Sequence, residues 1–243
     1  MASALARGIG EPVLVADVDQ GKALALAEEL GGEAVGSNAE LAQRADAIVL
    51  CHKPKQLDEV AEQVGGHART VISILGATPI AEIERVYPGA AVYRFIPNIP
   101  AELRQGVLCY VPGTRAQDGP EREVLELLGR AGAIIPLSSE PLIEPAMALM
   151  SCGPAFMALV AESFADAGAA HGLTPAEALR MTVETMAGTA AYLRAHSYDT
   201  GAVKARVATP GGATERGLVA LEQHGLPGVC RAAVDAVVEG TRR

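Results

Sequence analysis

"VLVADVDQGKALALAEEL", residues 13–30, decides the fold. Val13, Leu14, Val15 and Ala16 run without interruption into Asp17, and an amphipathic stretch begins at Gly21. A continuous apolar run, with no polar alternation, reads as a strand covered on both faces. The same grammar recurs in "AIVLC" (47–51), which is followed by a helix from about Gln56. It returns in "TVISIL" (70–75), "AAVYRFI" (90–96), "GVLCYV" (106–111) and "GAIIPL" (132–137). Strands alternating with helices predict a doubly wound, mostly parallel sheet.

After Leu137 no further strand pattern appears. Residues 138–172 form one long helical pattern, ended by Gly172. The next helix opens on a capping box, with Thr174 as N-cap, Pro175 at the first helical position and Glu177 three residues on. Further helices follow in 207–223 and in "GVCRAAVDAVVEGTRR" (228–243). The boundary between an α/β part, 1–138, and an all-α part, 139–243, is therefore placed near residue 138. The apolar faces of these helices are too wide for one layer, which predicts burial against a second subunit.

Bulk composition excludes several classes. With 49 % hydrophobic residues the chain can bury a core, and with 3 % aromatics that core is aliphatic. The net charge is −9 with no basic stripe, which argues against nucleic acid and anionic membrane as partners. No apolar run reaches the ~18 residues of a membrane span, and "MASALARGIG" lacks the plan of a signal peptide. Cys51, Cys109, Cys152 and Cys230 form no CxxC pair and read as reduced, buried small hydrophobes in a cytoplasmic protein. The histidines show no metal spacing, so no metal is expected.

In a doubly wound sheet, ligands bind at the carboxyl ends of strands. Asp17 stands where an acid commonly holds the adenosine ribose of a dinucleotide; a turn or N-cap aspartate is the plain alternative. The Gly-rich turn that would decide the matter is not in the sequence, and the chain opens as if its first helix were already under way.

Several stretches, in order, carry a resemblance. They are "HKPKQLDEV" (52–60), "VISILGATPIAEIE" (71–84), "RFIPNIPAELRQGV" (94–107), "CGPAF" (152–156) with "ADAGAAHGLTPAEA" (165–178), and "PGGATERGLVALE" (210–222). Together they resemble pyrroline-5-carboxylate reductase, the last enzyme of proline biosynthesis. The resemblance implies a Rossmann-like domain followed by a helical domain that interlocks into a homodimer, with larger rings also known in the family. It implies reduction of a cyclic imine, 1-pyrroline-5-carboxylate, to L-proline by NADH or NADPH, with the substrate against the helical domain. The family's opening strand and Gly-x-Gly turn would stand before Met1.

Residue by residue, the resemblance assigns Thr214 as donor to the imine nitrogen. Gly211, Gly212 and Ala213 would offer backbone N–H groups to the substrate carboxylate, and Glu140 would lie near the ring. The structural alternative is that Thr209 and Thr214 only cap a helix turn. On the cofactor side it assigns Asp17, Asn38, His52, Lys53, Pro54, Gly76, Ala77, Pro97, Asn98 and Arg206. Asn38 also reads as a helix N-cap. Asp17 and Asp19 replace the residue types that hold a 2′-phosphate, which favours NADH because two carboxylates repel that dianion. Ile99, Met150, Ser151, Cys152 and Phe156 depart from the family pattern. A reductase of another cyclic imine and a catalytically silent dimeric binding protein are the alternatives.

Overall fold

The computed structural model describes residues 1–241, and it divides into two compact units, Met1–Pro154 and Ala155 onward. The last two residues of the expected terminal helix, 242–243, lie outside the described residues.

The first unit opens with α1 (Ala2–Ile9) and then β1 (Leu14–Val15), the core of the quoted run. Next come α2 (Gln20–Leu30), β2 (Glu33–Ala34), α3 (Asn38–Arg44) and β3 (Ile48–Leu50). They are followed by α4 (Leu57–Val64), β4 (Thr70–Ser73), α5 (Ile80–Val86), β5 (Ala91–Pro97) and β6 (Gly106–Pro112). The unit continues with α6 (Glu121–Gly129), β7 (Gly132–Pro136) and α7 (Ile143–Met150). All six expected strands are present. β2 is an addition: two residues, one exposed, give no apolar run to read.

The sheet is in two parts. β1 pairs with β2, while β3 to β7 follow one another in a five-stranded sheet, with no ladder joining β1 to β3. Both β1 and β3 are therefore edges, and Leu14 and Val15 are only half-buried. Within the larger sheet every pairing is parallel except β5–β6. Residues 98–105 between those strands are too few for a crossover helix, so the chain returns antiparallel.

Two layers cover the larger sheet. Tyr93 and Phe95 of β5 face Leu5, Ile9 and Leu128, from α1 and α6. Val92 faces the other way, toward Leu57, Val64 and Ile83 of α4 and α5. Ile96 joins Ile80, Ile143 and Met150, which brings α7 onto that second face. α1 is further held by Arg7, bonded to Glu29 at 2.6 Å and to Glu102 at 2.7 Å.

The helical unit contains α8 (Gly153–Ala170), α9 (Pro175–Ala195), α10 (Thr200–Val207), α11 (Ala213–Gln223) and α12 (Leu226–Thr241), α8 starting just ahead of the division. The long pattern of 138–172 is broken: a short 3-10 turn, Glu140–Leu142, precedes α7, and Ser151–Cys152 separate α7 from α8. The α9 capping box is formed, with Thr174 Oγ1 accepting from Glu177 N and Glu177 Oε2 accepting from Thr174 N at 3.1 Å. α10, absent from the sequence reading, is capped by Asp199, which accepts from Ala202 N at 2.8 Å.

Two expectations are corrected. Taken as one helical stretch, Glu140–Ala170 is long and apolar enough to cross a membrane by length and composition, and little of it is buried. Glu162 and Asp166 interrupt the apolar residues there, so no single run in the sequence marks the stretch. The cysteines are free, but Cys51 and Cys230 are exposed and only Cys109 is buried.

Candidate functional site

On the cofactor side, the expected residues of the first unit lie at or shortly after the carboxyl ends of strands, whereas Arg206 lies in α10 of the helical unit. Asp17 lies two residues past β1, where its Oδ1 accepts from Asp19 N at 2.9 Å. Asp19 caps α2, accepting from Gly21 N at 3.1 Å and Lys22 N at 3.3 Å. The hydrogen bond from the Lys22 side chain holds this carboxyl below the usual carboxylate range. Val18 between them is 97 % exposed, so the turn projects into solvent.

Past β3, His52 places Nδ1 2.9 Å from the Lys53 carbonyl. Nδ1 is placed to donate to that carbonyl, and Nε2 is buried without a partner. Pro54 opens a 3-10 turn, and the exposed Lys53 has its backbone N–H accepted by Gln56 Oε1 at 3.2 Å. Asn38 is the first residue of α3, not its cap. Ser37 caps that helix by accepting from Glu40 N, while Asn38 donates to Gln63 Oε1 at 2.6 Å. The N-cap reading of Asn38 is thus off by one residue: Ser37 has the extended backbone a cap requires.

Gly76 and Ala77 form the turn after β4. Ala77 has φ 51°, and Thr78 Oγ1 donates to the Gly76 carbonyl at 3.1 Å. A Cβ placed on Gly76 would meet nothing within 4 Å, so the space over this turn is open. Pro97 ends β5, and the buried Asn98 ties two segments together. Its Nδ2 donates to the Met150 carbonyl and its Oδ1 accepts from Val107 N, both at 2.8 Å. Asn98 therefore ties the end of β5 to α7 and β6 through both ends of its amide. These residues carry features that a nicotinamide dinucleotide would use. One Asp17 oxygen remains for a hydroxyl, and the 76–77 turn leaves open room.

Glu140 is engaged inside the first unit. Its Oε1 accepts from Ile80 N at 2.7 Å and from Arg94 Nη1 at 2.5 Å. Arg94, 6 % exposed, was visible to sequence reasoning only as part of a motif.

In the helical unit, Gly211 and Gly212 serve two different needs. Gly211 has φ 75°, a left-handed turn. Gly212 has an ordinary backbone, but a Cβ there would stand 2.5 Å from Thr209 Oγ1 and 2.8 Å from the Thr209 carbonyl oxygen. Gly212→Ala is expected to cost about 1–3 kcal/mol through that overlap, and thermal unfolding against the wild type measures it.

The expectation that these two glycines present free N–H groups is corrected. Gly211 N donates to Glu215 Oε2 at 2.6 Å and Gly212 N to the Thr209 carbonyl at 2.9 Å. Arg216 Nη1 donates to the Gly211 carbonyl at 2.8 Å, so Glu215 and Arg216 hold both polar groups of Gly211. A charged pair four and five residues beyond a glycine is the signal that sequence reasoning passed over. The first N–H to return to the turn is that of Arg216, to Gly212 O, and α11 has no side-chain cap. The N–H groups of Ala213, Thr214 and Glu215 therefore stand at its open end. Neither Thr209 nor Thr214 caps the helix, and Thr214 is exposed. Arg206 lines an open groove of about 450 Å³ with Thr185, Thr189, Tyr192 and Val203. Among the described residues, no three His, Cys, Asp or Glu side chains are grouped to hold a metal.

Residues 140–243 match the pyrroline-5-carboxylate reductase dimerisation family, and residues 1–76 match the family of NADP oxidoreductases that are coenzyme F420-dependent. Pyrroline-5-carboxylate reductase 3 of Danio rerio is 30 % identical over 219 residues, covering 88 % of this chain and 76 % of that protein. The chain belongs to the pyrroline-5-carboxylate reductase family. The Treponema pallidum pyrroline-5-carboxylate reductase is 29 % identical over 98 % of this chain and 94 % of its own length. Among solved structures, the Coxiella burnetii enzyme superposes with a TM-score of 0.89 at 25 % identity, covering 99 % of this chain and 93 % of its own. The Plasmodium falciparum pyrroline carboxylate reductase, solved with NADP bound, gives 0.82 at 25 % identity over 98 % of this chain and 92 % of its own. The family's two-part plan is the one observed, a Rossmann-like oxidoreductase unit followed by helices that dimerise.

Proposed function

We infer that the chain reduces 1-pyrroline-5-carboxylate to L-proline, as an NAD(P)-dependent reductase of proline biosynthesis. The observation that carries this is likeness at near-full length to named reductases, with the Pro-Gly-Gly-x-Thr turn kept in a specific hydrogen-bonded form.

The bound cofactor supplies the hydride. The chain's residues must hold and polarise the substrate so that its C=N carbon accepts that hydride at ~3–3.5 Å. The N–H groups of Ala213, Thr214 and Glu215, at the positive end of α11, are suited to the substrate carboxylate. The Thr214 Oγ–H, exposed on the same turn, donates to the imine nitrogen and favours its electron-poor form. Glu215 and Arg216 fix the turn so that those groups need not reorganise.

On the cofactor, Asp17 accepts from the adenosine ribose, and the paired charges of Asp17 and Asp19 disfavour a 2′-phosphate. The reading is a preference for NADH of at least about tenfold, the size of one modest like-charge repulsion. A side-by-side oxidation assay of NADH and NADPH with pyrroline-5-carboxylate tests both statements. No turnover with either cofactor sinks the reductase reading; faster turnover with NADPH sinks the preference alone.

A further inference from the structure

Arg94 is buried on β5, on the sheet face that carries Ile96, with its Nε left without a partner. A buried guanidinium with an orphan N–H is a weak device for stability. Its single carboxylate partner, Glu140, does a second task with the same oxygen. Oε1 lies 2.5 Å from Arg94 Nη1 and 2.7 Å from Ile80 N. Ile80 is the first residue of α5, and the preceding Pro79 offers no side-chain acceptor. A carboxylate sixty positions away thus takes the place of a local cap.

The segment held in this way is the 76–79 turn. It contains Ala77 at φ 51°, a conformation a residue with a Cβ does not adopt freely. Thr78 is buried and bonds back to Gly76, so the turn is drawn in from both sides. The Arg94 charge keeps Glu140 in place, and Glu140 fixes the helix start that ends the turn.

We propose that Arg94 and Glu140 are positioning residues that hold the 76–79 turn in its left-handed form, so that the turn seats the nicotinamide half of the cofactor. The proposal rests on the reading that this turn meets the cofactor. It moves Glu140 from a contact with substrate to a clasp on the cofactor side.

The test uses the full chain with Glu140→Ala, Glu140→Gln, Arg94→Met and Arg94→Lys, and adds Ala77→Gly to the Glu140→Ala protein. Three readouts are taken: amide exchange at Ile80, fluorescence binding of NADH and NADPH, and binding of 5′-ADP as the adenosine half alone. Glu140→Ala and Arg94→Met are expected to speed Ile80 exchange at least tenfold. They should weaken the reduced cofactors about tenfold and leave 5′-ADP unchanged. Arg94→Lys and Glu140→Gln should retain part of the binding, and Ala77→Gly should recover part of what Glu140→Ala loses. Unchanged Ile80 exchange overturns the proposal, as does equal weakening of the cofactors and the adenosine fragment. Where Glu140→Ala fails to fold, Glu140→Gln and Arg94→Lys give the same comparison. A wild-type chain that binds reduced cofactor without turnover, with the variants behaving as expected, sinks the reductase reading and leaves the clasp.

Discussion

A Thr214→Val protein is expected to turn over about a hundredfold more slowly than the wild type, with reduced-cofactor binding unchanged. The hydroxyl sits on the first turn of α11, exposed, in a helix with no side-chain cap. Valine keeps the shape and removes the donor, so folding should be nearly untouched. Loss of one preorganised donor to a reacting atom costs roughly 10²–10³ in rate. Steady-state kinetics should show the loss in kcat, with the melting temperature within about two degrees of wild type, the span of a sub-kilocalorie change. Thr209→Val is the control. Thr209 packs against Gly212 and lends it a carbonyl, so its substitution should act on stability first. A Thr214→Val protein with full turnover removes Thr214 from the mechanism.

The second large effect concerns the helical unit. Of the described residues from Ala155 onward, only Ala161, Ala165 and Ala178 are buried. Met157, Phe164, Met181, Val183 and Val229 are each close to half exposed or more. Each such side chain gains about 1.5–3 kcal/mol when fully covered, and helices without a core do not persist alone. The dimerisation match over 140–243 names what covers them, a second copy. Phe164→Asp combined with Met181→Asp should shift the sedimenting mass from dimer to monomer. The melting temperature should fall by about ten degrees or more, as loss of several kcal/mol implies. The wild-type midpoint should rise with protein concentration. A double variant that stays dimeric at the wild-type midpoint places the interface elsewhere.

Much of the fold was legible because its signals are local. The unbroken apolar run of 13–16, the run at 91–96 and the box of Thr174 with Glu177 each depend on residues within a few positions. The turn of β5 into β6 was also within reach, since residues 98–105 leave no room for a crossover. β2 was not, because a two-residue strand has no period. The site was legible in part. The sequence pointed to 210–214 as special and assigned its glycines to ligand binding. In the folded chain those N–H groups are bonded to Glu215 and Thr209, and the open donors lie one to three residues further on.

The sequence alone determined the six longer strand runs in their order and the passage from strand–helix alternation to helices. These follow from hydrophobic period, caps and turn residues, which act over a few bonds along the chain. Tertiary structure decided the break between β1 and β3, the near absence of a core in the helical unit, and the joining of Arg94, Glu140 and Ile80. Each brings together, or leaves apart, groups distant in sequence. A carboxylate has no preference along the chain for an amide sixty residues away; only the packing of α7 and α5 on the same face of the sheet puts that N–H within its reach.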